Sequence, residues 1–194
     1  MKKKTVWTPG LTFDEVSREV EDLRARYETL QSIPIDIDAF LEFDLGLEIV
    51  PLAGLREKVN AEAMISQDYK TIYVDVQSYN DERLWNRLKF SIAHELGHMF
   101  LHKDFFCHQD IKNEDEWINF MSSLQLKYSF LENHANWFAG MLLIPASELR
   151  RLLQADRKPS LPELTRHFEV STKAICKRLA SQDMTDMIKS LKTV

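Results

Sequence analysis

The segment FSIAHELGHMFLH, residues 90–102, places two histidines four residues apart, with a glutamate directly after the first. In an α-helix, residues i and i+4 lie on one face, so His94 and His98 project together and can share one metal ion. Glu95 lies about 100° around the helix from His94, where it can reach a water bound to that ion. Zinc hydrolases use this His-Glu-x-x-His arrangement for two histidine ligands and a glutamate general base. The segment therefore predicts a zinc centre with one zinc ion per chain, His94 and His98 as ligands, and Glu95 as catalytic base.

A catalytic zinc usually has three protein ligands and one open position, so the prediction needs a third ligand. His102 lies eight residues from His94, about 12 Å along the helix axis, and one ion cannot reach all three histidines. The longer motif with a third histidine is also absent, because Leu101 and Asp104 occupy the positions of its glycine and last histidine. The third ligand is therefore expected on another helix.

Glu132 is the best candidate for this third ligand. It lies in a predicted helix at residues 128–143, and it shares one face of that helix with Ala135, Asn136 and Ala139. Two alanines on the same face permit close approach to a neighbouring helix, and Gly97 offers a matching flat position on the helix of His94. We therefore predict that Glu132 is pressed against the two histidines.

Two other sets of side chains offer metal-binding atoms near these helices. His134 points about 200° away from Glu132 around the helix, so the two are not expected to bind the same ion. An acidic cluster follows the site helix and is a weaker rival, because acidic residues in polar loops are usually solvated. Its members are Glu114, Asp115 and Glu116.

The sequence patterns along the rest of the chain predict an α+β fold. In it, a small three-stranded sheet packs against the site helix and holds these residues in position. Two helices are expected first, at residues 11–30 and 33–46, and Thr12 and Glu15 have the spacing of a capping box at the start of the first. Three β-rich runs follow, and the last two have the spacing of a hairpin: residues 47–52, 61–67 and 71–76.

The rest of the chain is predicted to be mainly helical. The site helix is expected at residues 83–101, followed by an irregular segment at 103–112. A short helix is expected at 114–126 and a longer one at 128–143, which ends before a proline.

Residues 161–182 predict a helix-turn-helix, with the turn at 169–171 and Ser171 as cap of the second helix. We accordingly divide the chain into a zinc metallopeptidase-like domain, residues 1–155, and a C-terminal helical subdomain, residues 156–194.

Composition and charge limit the function classes. The 194 residues are 44% hydrophobic and 28% charged, as in a globular protein with a buried core. The net charge of −5 gives no general attraction to nucleic acid, so direct DNA binding through Thr172, Lys173 and Lys177 is not expected. The basic start has no apolar stretch after it, and no run is long enough to cross a bilayer. We therefore expect a cytoplasmic protein without membrane contact.

Two longer stretches, RLKFSIAHELGHMFLH and ENHANWFAGMLLIP, together resemble the ImmA/IrrE family of bacterial zinc metallopeptidases. The resemblance implies the same roles as the spacing does: His94, His98 and Glu132 as zinc ligands and Glu95 as catalytic base. It also implies an endopeptidase that cuts a cytoplasmic helix-turn-helix repressor and so derepresses mobile-element or stress genes.

A second function class stays open, a regulatory binding module with a peptidase fold that holds a repressor or antitoxin-like partner without cutting it. Glu95 argues against this alternative, because chemistry requires it and metal binding does not.

Overall fold

The computed structural model of the protein describes residues 10–185. The first nine residues, for which no signal peptide is predicted, and the last nine, which belong to the predicted C-terminal subdomain, lie outside this range. Within the described range, no helix has the length and apolar character needed to cross a membrane.

A three-stranded mixed sheet follows the N-terminal helices, and its strands are β1 (Glu48–Leu52), β2 (Ala63–Ile65) and β3 (Thr71–Asp75). Strand β3 lies in the centre, parallel to β1 and antiparallel to β2. The predicted α+β class with a three-stranded sheet is confirmed, and so is the hairpin that joins β2 to β3. Strand β2 is consequently an edge strand with one side unpaired within the sheet.

The two N-terminal helices form close to their predicted positions. Helix α1 (Phe13–Arg26) begins with the predicted capping box between Thr12 and Glu15. Helix α2 (Ile37–Ala39) continues into a π-helical turn (Phe40–Leu45), and it begins later than predicted because Asp36 caps its N-terminus. It ends as predicted at Gly46, whose φ of 63° is a left-handed conformation that glycine adopts without strain.

Two helices of five residues were not predicted: α3 (Leu55–Val59) and α4 (Val76–Asn80). They are too short to show helical periodicity in the sequence. Helix α4 follows β3 directly, because the Asp75 side chain accepts a hydrogen bond from the backbone N–H of Ser78 at 3.0 Å and caps the helix.

The site helix, α5 (Trp85–Cys107), is longer than predicted, and the irregular segment expected at 103–112 is wrong for its first five residues. The helix continues because Phe105 and Phe106, 1% and 3% exposed, bury their rings in the core. Burial of two aromatic side chains outweighs the weak local signals that suggested a loop.

Between α5 and the C-terminal helices lie α6 (Glu114–Ser122), α7 (Leu124–Lys127), α8 (Ser129–Leu143) and α9 (Ala146–Leu153). Only Tyr128 separates α7 from α8, and the two pack against each other. Helix α8 agrees with the predicted helix at residues 128–143. The predicted short helix at 114–126 is divided into α6 and α7.

The C-terminal helices form the predicted helix-turn-helix, from α10 (Leu161–Phe168) to α11 (Thr172–Leu179). Ser171 caps α11 as predicted, since its hydroxyl accepts a hydrogen bond from the N–H of Ala174 at 3.2 Å. The guanidinium of Arg178, on α11, donates to the Ile144 carbonyl at the end of α8 at 3.0 Å and is buried. The division of the chain at residue 155 stays a prediction.

Helices α5 and α8 approach each other most closely at Gly97. A Cβ atom added there would lie 2.9 Å from the Cα of Ala135 and 3.2 Å from its carbonyl oxygen. Both of these are backbone atoms, so neither can rotate away. The small residues predicted to bring the two helices together therefore do so, and the residues on either side of this contact face one another.

We expect Gly97→Ala to lower the free energy of unfolding by about 1–3 kcal/mol, because the extra methyl group forces two packed helices apart. The matched control is Gly140→Ala on α8, where an added Cβ would meet only the side chain of Arg178 at 3.9 Å. That variant should be neutral or slightly stabilised, since alanine favours a helix interior. Urea unfolding of both variants makes the comparison, and equal stabilities would contradict the close-contact interpretation.

Candidate metal centre

Three side chains from α5 and α8 converge on one point. The Nε2 atoms of His94 and His98 lie 3.1 Å apart. One Glu132 oxygen lies 3.4 Å from Nε2 of His94, and the other lies 3.3 Å from Nε2 of His98. The predicted ligands from α5 are thus brought together with the predicted ligand from α8, across the contact at Gly97.

The electrostatics of this cluster favour a positive charge at the point of convergence. Burial raises the pKa of Glu132, but hydrogen bonds to the two histidines outweigh it and lower the pKa well below its usual range. Burial lowers the pKa of His98 to about 4, so its ring is neutral at pH 7. Burial also opposes protonation of His94, yet Glu132 and Glu95 together raise its pKa. One cationic centre suits these carboxylates, whether it is a proton or a metal ion.

The donor atoms fit a zinc ion in number, type and spacing. Ligands about 2.0–2.1 Å from a tetrahedral zinc lie about 3.3 Å from one another. Here the two Nε2 atoms lie 3.1 Å apart, and the Glu132 oxygen nearest to each lies 3.4 Å from that of His94 and 3.3 Å from that of His98. Two imidazole nitrogens and a carboxylate oxygen are also a donor set that zinc prefers, and one side of the cluster opens into a cleft.

Glu95 also lies near this cluster, since its carboxylate and the two histidine nitrogens lie within 4.8 Å of one another. Its Oε2 accepts a hydrogen bond from the backbone N–H of Ile65 in β2 at 3.0 Å. The Glu132 oxygens approach the histidine nitrogens to 3.4 and 3.3 Å, whereas the Glu95 carboxylate is held on β2 by the Ile65 N–H. Burial raises the pKa of Glu95 to about 7, against the charge of His94 and the Ile65 hydrogen bond, which lower it.

The strand that holds Glu95 is itself fixed by Trp117 on α6. The indole N–H of Trp117 donates to the Ile65 carbonyl at 2.7 Å, and the indole is 1% exposed. Both backbone groups of Ile65 on the outer edge of β2 are therefore occupied, the N–H by Glu95 and the carbonyl by Trp117. Sequence reasoning did not find this support, because Ile65 and Trp117 are 52 residues apart.

Asn136, one turn after Glu132 on α8, was noted in the sequence only as a residue on the same face. Its side-chain amide donates to the Glu132 carbonyl at 2.7 Å and also interacts with His94. Asn136 therefore links the backbone carbonyl of Glu132 to the imidazole ring of His94.

The histidines excluded as ligands lie behind the cluster. Nδ1 of His102 lies 3.0 Å from Nδ1 of His98, and its Nε2 lies 3.3 Å from Nδ1 of His134. The rival acidic cluster lies at the start of α6, where carboxylates suit the helix dipole. There Glu116 accepts a hydrogen bond from the N–H of Lys112 at 3.0 Å.

A cleft of about 830 Å³ opens over the three converging side chains. One wall is formed by the edge of β2 and the residues before it, and another by α5, including Arg87, which pairs with Glu62 at 2.8 Å. The far wall comes from α11, which contributes Lys173 and Lys177. The sequence did not indicate that the C-terminal helices border the same cleft as the histidines.

Comparison with known families agrees with this geometry. The family model Peptidase_M78, described as the IrrE N-terminal-like domain, matches residues 78–180. The chain therefore belongs to this peptidase family and carries a metallopeptidase-like domain, and the resemblance to ImmA/IrrE proteins is confirmed. None of the curated proteins compared with the chain matches it. The matched segment includes all four predicted site residues, whereas Ile65 lies before it.

We expect Trp117→Phe to lower the free energy of unfolding by about 1–3 kcal/mol, because phenylalanine leaves the buried Ile65 carbonyl without a donor. Trp85→Phe is the matched control, since Trp85 is only partly buried and makes no side-chain hydrogen bond among residues 10–185. Urea unfolding measures both. If the two variants lost equal stability, the hydrogen bond from Trp117 to Ile65 would not be the cause.

Proposed function

We propose that the chain is a zinc-dependent endopeptidase that hydrolyses a peptide bond in a protein substrate. The observation that carries this proposal is the convergence of His94, His98 and Glu132 beside Glu95 at the floor of an open cleft. Family membership supports a peptidase of this kind.

In this proposal His94, His98 and Glu132 hold one zinc ion per chain, through two Nε2 atoms and a carboxylate oxygen. Bound zinc would polarise the scissile carbonyl and lower the pKa of a bound water toward about 7. The contact between α5 and α8 keeps the three donors in place before the ion arrives, so little reorganisation is needed on binding.

Glu95 acts as the general base. Its Oε2 is held by the Ile65 N–H, while Oε1 makes no hydrogen bond among the residues that the structure describes, and the residue lines the cleft. A cation beside Glu95 favours its ionised form, which burial alone disfavours. The carboxylate therefore takes a proton from the attacking water and returns it to the leaving amine.

An extended polypeptide fits the wall formed by β2. Glu62 and Ser66 pair with β3 through backbone hydrogen bonds of 2.9 and 2.8 Å. Because pairing alternates along an antiparallel strand, the backbone N–H and C=O groups of Ala63 and Ile65 point away from β3. Ile65 already uses its outward groups on Glu95 and Trp117. The backbone of Ala63 faces the cleft instead, where a substrate strand can pair with it.

The substrate we propose is a helix-turn-helix transcriptional repressor in the cytoplasm, whose cleavage derepresses mobile-element or stress genes. This choice follows the resemblance to the ImmA/IrrE family. Lys173 and Lys177 support a further detail, because both are exposed on the cleft wall and neither forms an ion pair within the described part of the chain. We assign them to an acidic segment of the substrate rather than to DNA.

We expect Glu95→Gln to bind zinc like the wild type but to cleave substrate about 10²- to 10⁴-fold more slowly, because glutamine cannot accept the proton. Its amide oxygen can still accept from the Ile65 N–H, so the fold should be retained. Zinc content and cleavage of the repressor encoded nearest the gene are measured for both proteins, with chelation and zinc re-addition. Full cleavage by Glu95→Gln would refute the role of Glu95, and absence of zinc from the wild type would refute the metal centre.

We expect the double variant Lys173→Glu, Lys177→Glu to raise KM by about tenfold, since reversing two exposed charges costs about 1–2 kcal/mol of binding. Neither lysine touches the predicted ligands, so kcat and zinc content should not change. Lys158→Glu, exposed and outside the cleft, is the charge control. An unchanged KM in the double variant would remove the α11 wall from substrate binding.

A further inference from the structure

His98 uses both of its ring nitrogens. Nε2 lies at the point of convergence, 3.1 Å from His94 and 3.3 Å from Glu132. Nδ1 lies on the opposite side of the ring, 3.0 Å from Nδ1 of His102. The proposed ligand is therefore in hydrogen-bond contact with a second histidine behind the site.

The contacts continue beyond His102, which is completely buried. Its Nε2 lies 3.3 Å from Nδ1 of His134, which is 3% exposed. Burial lowers the pKa of His134, whereas a hydrogen bond to the backbone of Leu11, just before α1, opposes that shift. His98, His102 and His134 form a continuous series of rings, hereafter the histidine chain, which leads from the cleft to the start of α1.

The protons in the histidine chain have only two consistent arrangements. A neutral imidazole has one donor and one acceptor nitrogen, and each ring-to-ring contact needs one proton. If His98 is protonated on Nδ1, it donates to His102, which then donates from Nε2 to His134. In the reverse arrangement His134 donates to His102, His102 donates to His98, and the proton of His98 lies on Nε2.

We propose that His102 and His134 are positioning residues of the metal centre, which hold the proton of His98 on Nδ1 and so leave Nε2 free to bind the metal. This inference rests on the proposed metal site. Only the first arrangement presents a lone pair to the point of convergence, because the reverse arrangement places a proton there. The Leu11 backbone favours the first arrangement, since it raises the pKa of His134 as a hydrogen-bond acceptor does, and only this arrangement places a proton on the outer nitrogen of His134.

The same contacts restrain the ring of His98. Ligating histidines usually donate their second N–H to a carboxylate, a carbonyl or water, and loss of that partner weakens metal binding about 10- to 100-fold. In this chain an imidazole takes that place. Because His102 is fully buried, solvent water does not reach this position to replace it as the hydrogen-bond partner of His98 Nδ1.

The test compares His102→Phe with His102→Gln. Phenylalanine fills the space but has no polar atom, whereas the glutamine amide provides one acceptor and one donor. Zinc dissociation constants are measured by competition with a chromophoric chelator. We expect zinc affinity to fall about 10- to 100-fold in His102→Phe and to stay within about threefold of wild type in His102→Gln.

Nitrogen-15 NMR of the imidazoles in the metal-free proteins gives a second readout that a purely structural role would not change. The wild type and His102→Gln should show a larger fraction of His98 protonated on Nδ1 than His102→Phe, in which the Glu132 carboxylate, 3.3 Å from Nε2, is the remaining acceptor and draws the proton to that nitrogen. His134→Phe gives the same comparison at the outer contact if His102→Phe does not fold, as judged by thermal unfolding.

The outcomes separate this inference from the proposed function. Equal zinc affinity and an unchanged His98 tautomer in His102→Phe would overturn the inference while leaving the metal centre intact. A wild type that binds no zinc would overturn the proposed function, and the tautomer spectra of the metal-free proteins would still decide whether the histidine chain sets the state of His98.

Discussion

The close contact between α5 and α8 is the constraint on which the rest of the structure depends. Gly97 and Ala135 meet backbone to backbone, with no room for one additional methyl group. His94 and His98 lie on either side of Gly97 along α5, and Glu132 lies on the facing helix, α8. Separations of 3.3 and 3.4 Å between the carboxylate and the two imidazoles exist only because the helices approach this closely. A metal centre tolerates displacements of a few tenths of an ångström, so the metal site proposed here requires the packing of these small residues.

The two carboxylates of the site differ because their surroundings differ. Glu132 faces two imidazoles and has a lowered pKa, whereas Glu95 is buried with a single backbone donor and has a pKa raised to about 7. Environments of this kind separate a charged ligand from a group that can accept and return a proton. Residue type alone would not distinguish them.

The site also depends on segments far from the histidine motif. Ile65, which holds Glu95, precedes the segment that matches the family model, residues 78–180. Helix α11 lies near the end of that segment and supplies the opposite wall of the cleft. The N-terminal sheet and the C-terminal helices thus contribute to one cleft, and Leu11 extends the network of contacts to the first helix.

The sequence by itself determined the spacing of His94 and His98 on α5 and the helix face on which Glu132 lies, because helical geometry fixes which residues share a face within one element. It determined the α+β class and the helix-turn-helix for the same reason. It misplaced the end of α5, since burial of Phe105 and Phe106 outweighed local signals. Only the tertiary structure decided that Ile65 holds Glu95, that His102 and His134 stand behind His98, and that α11 borders the cleft. Those contacts join residues separated by tens of positions, and no local periodicity encodes them.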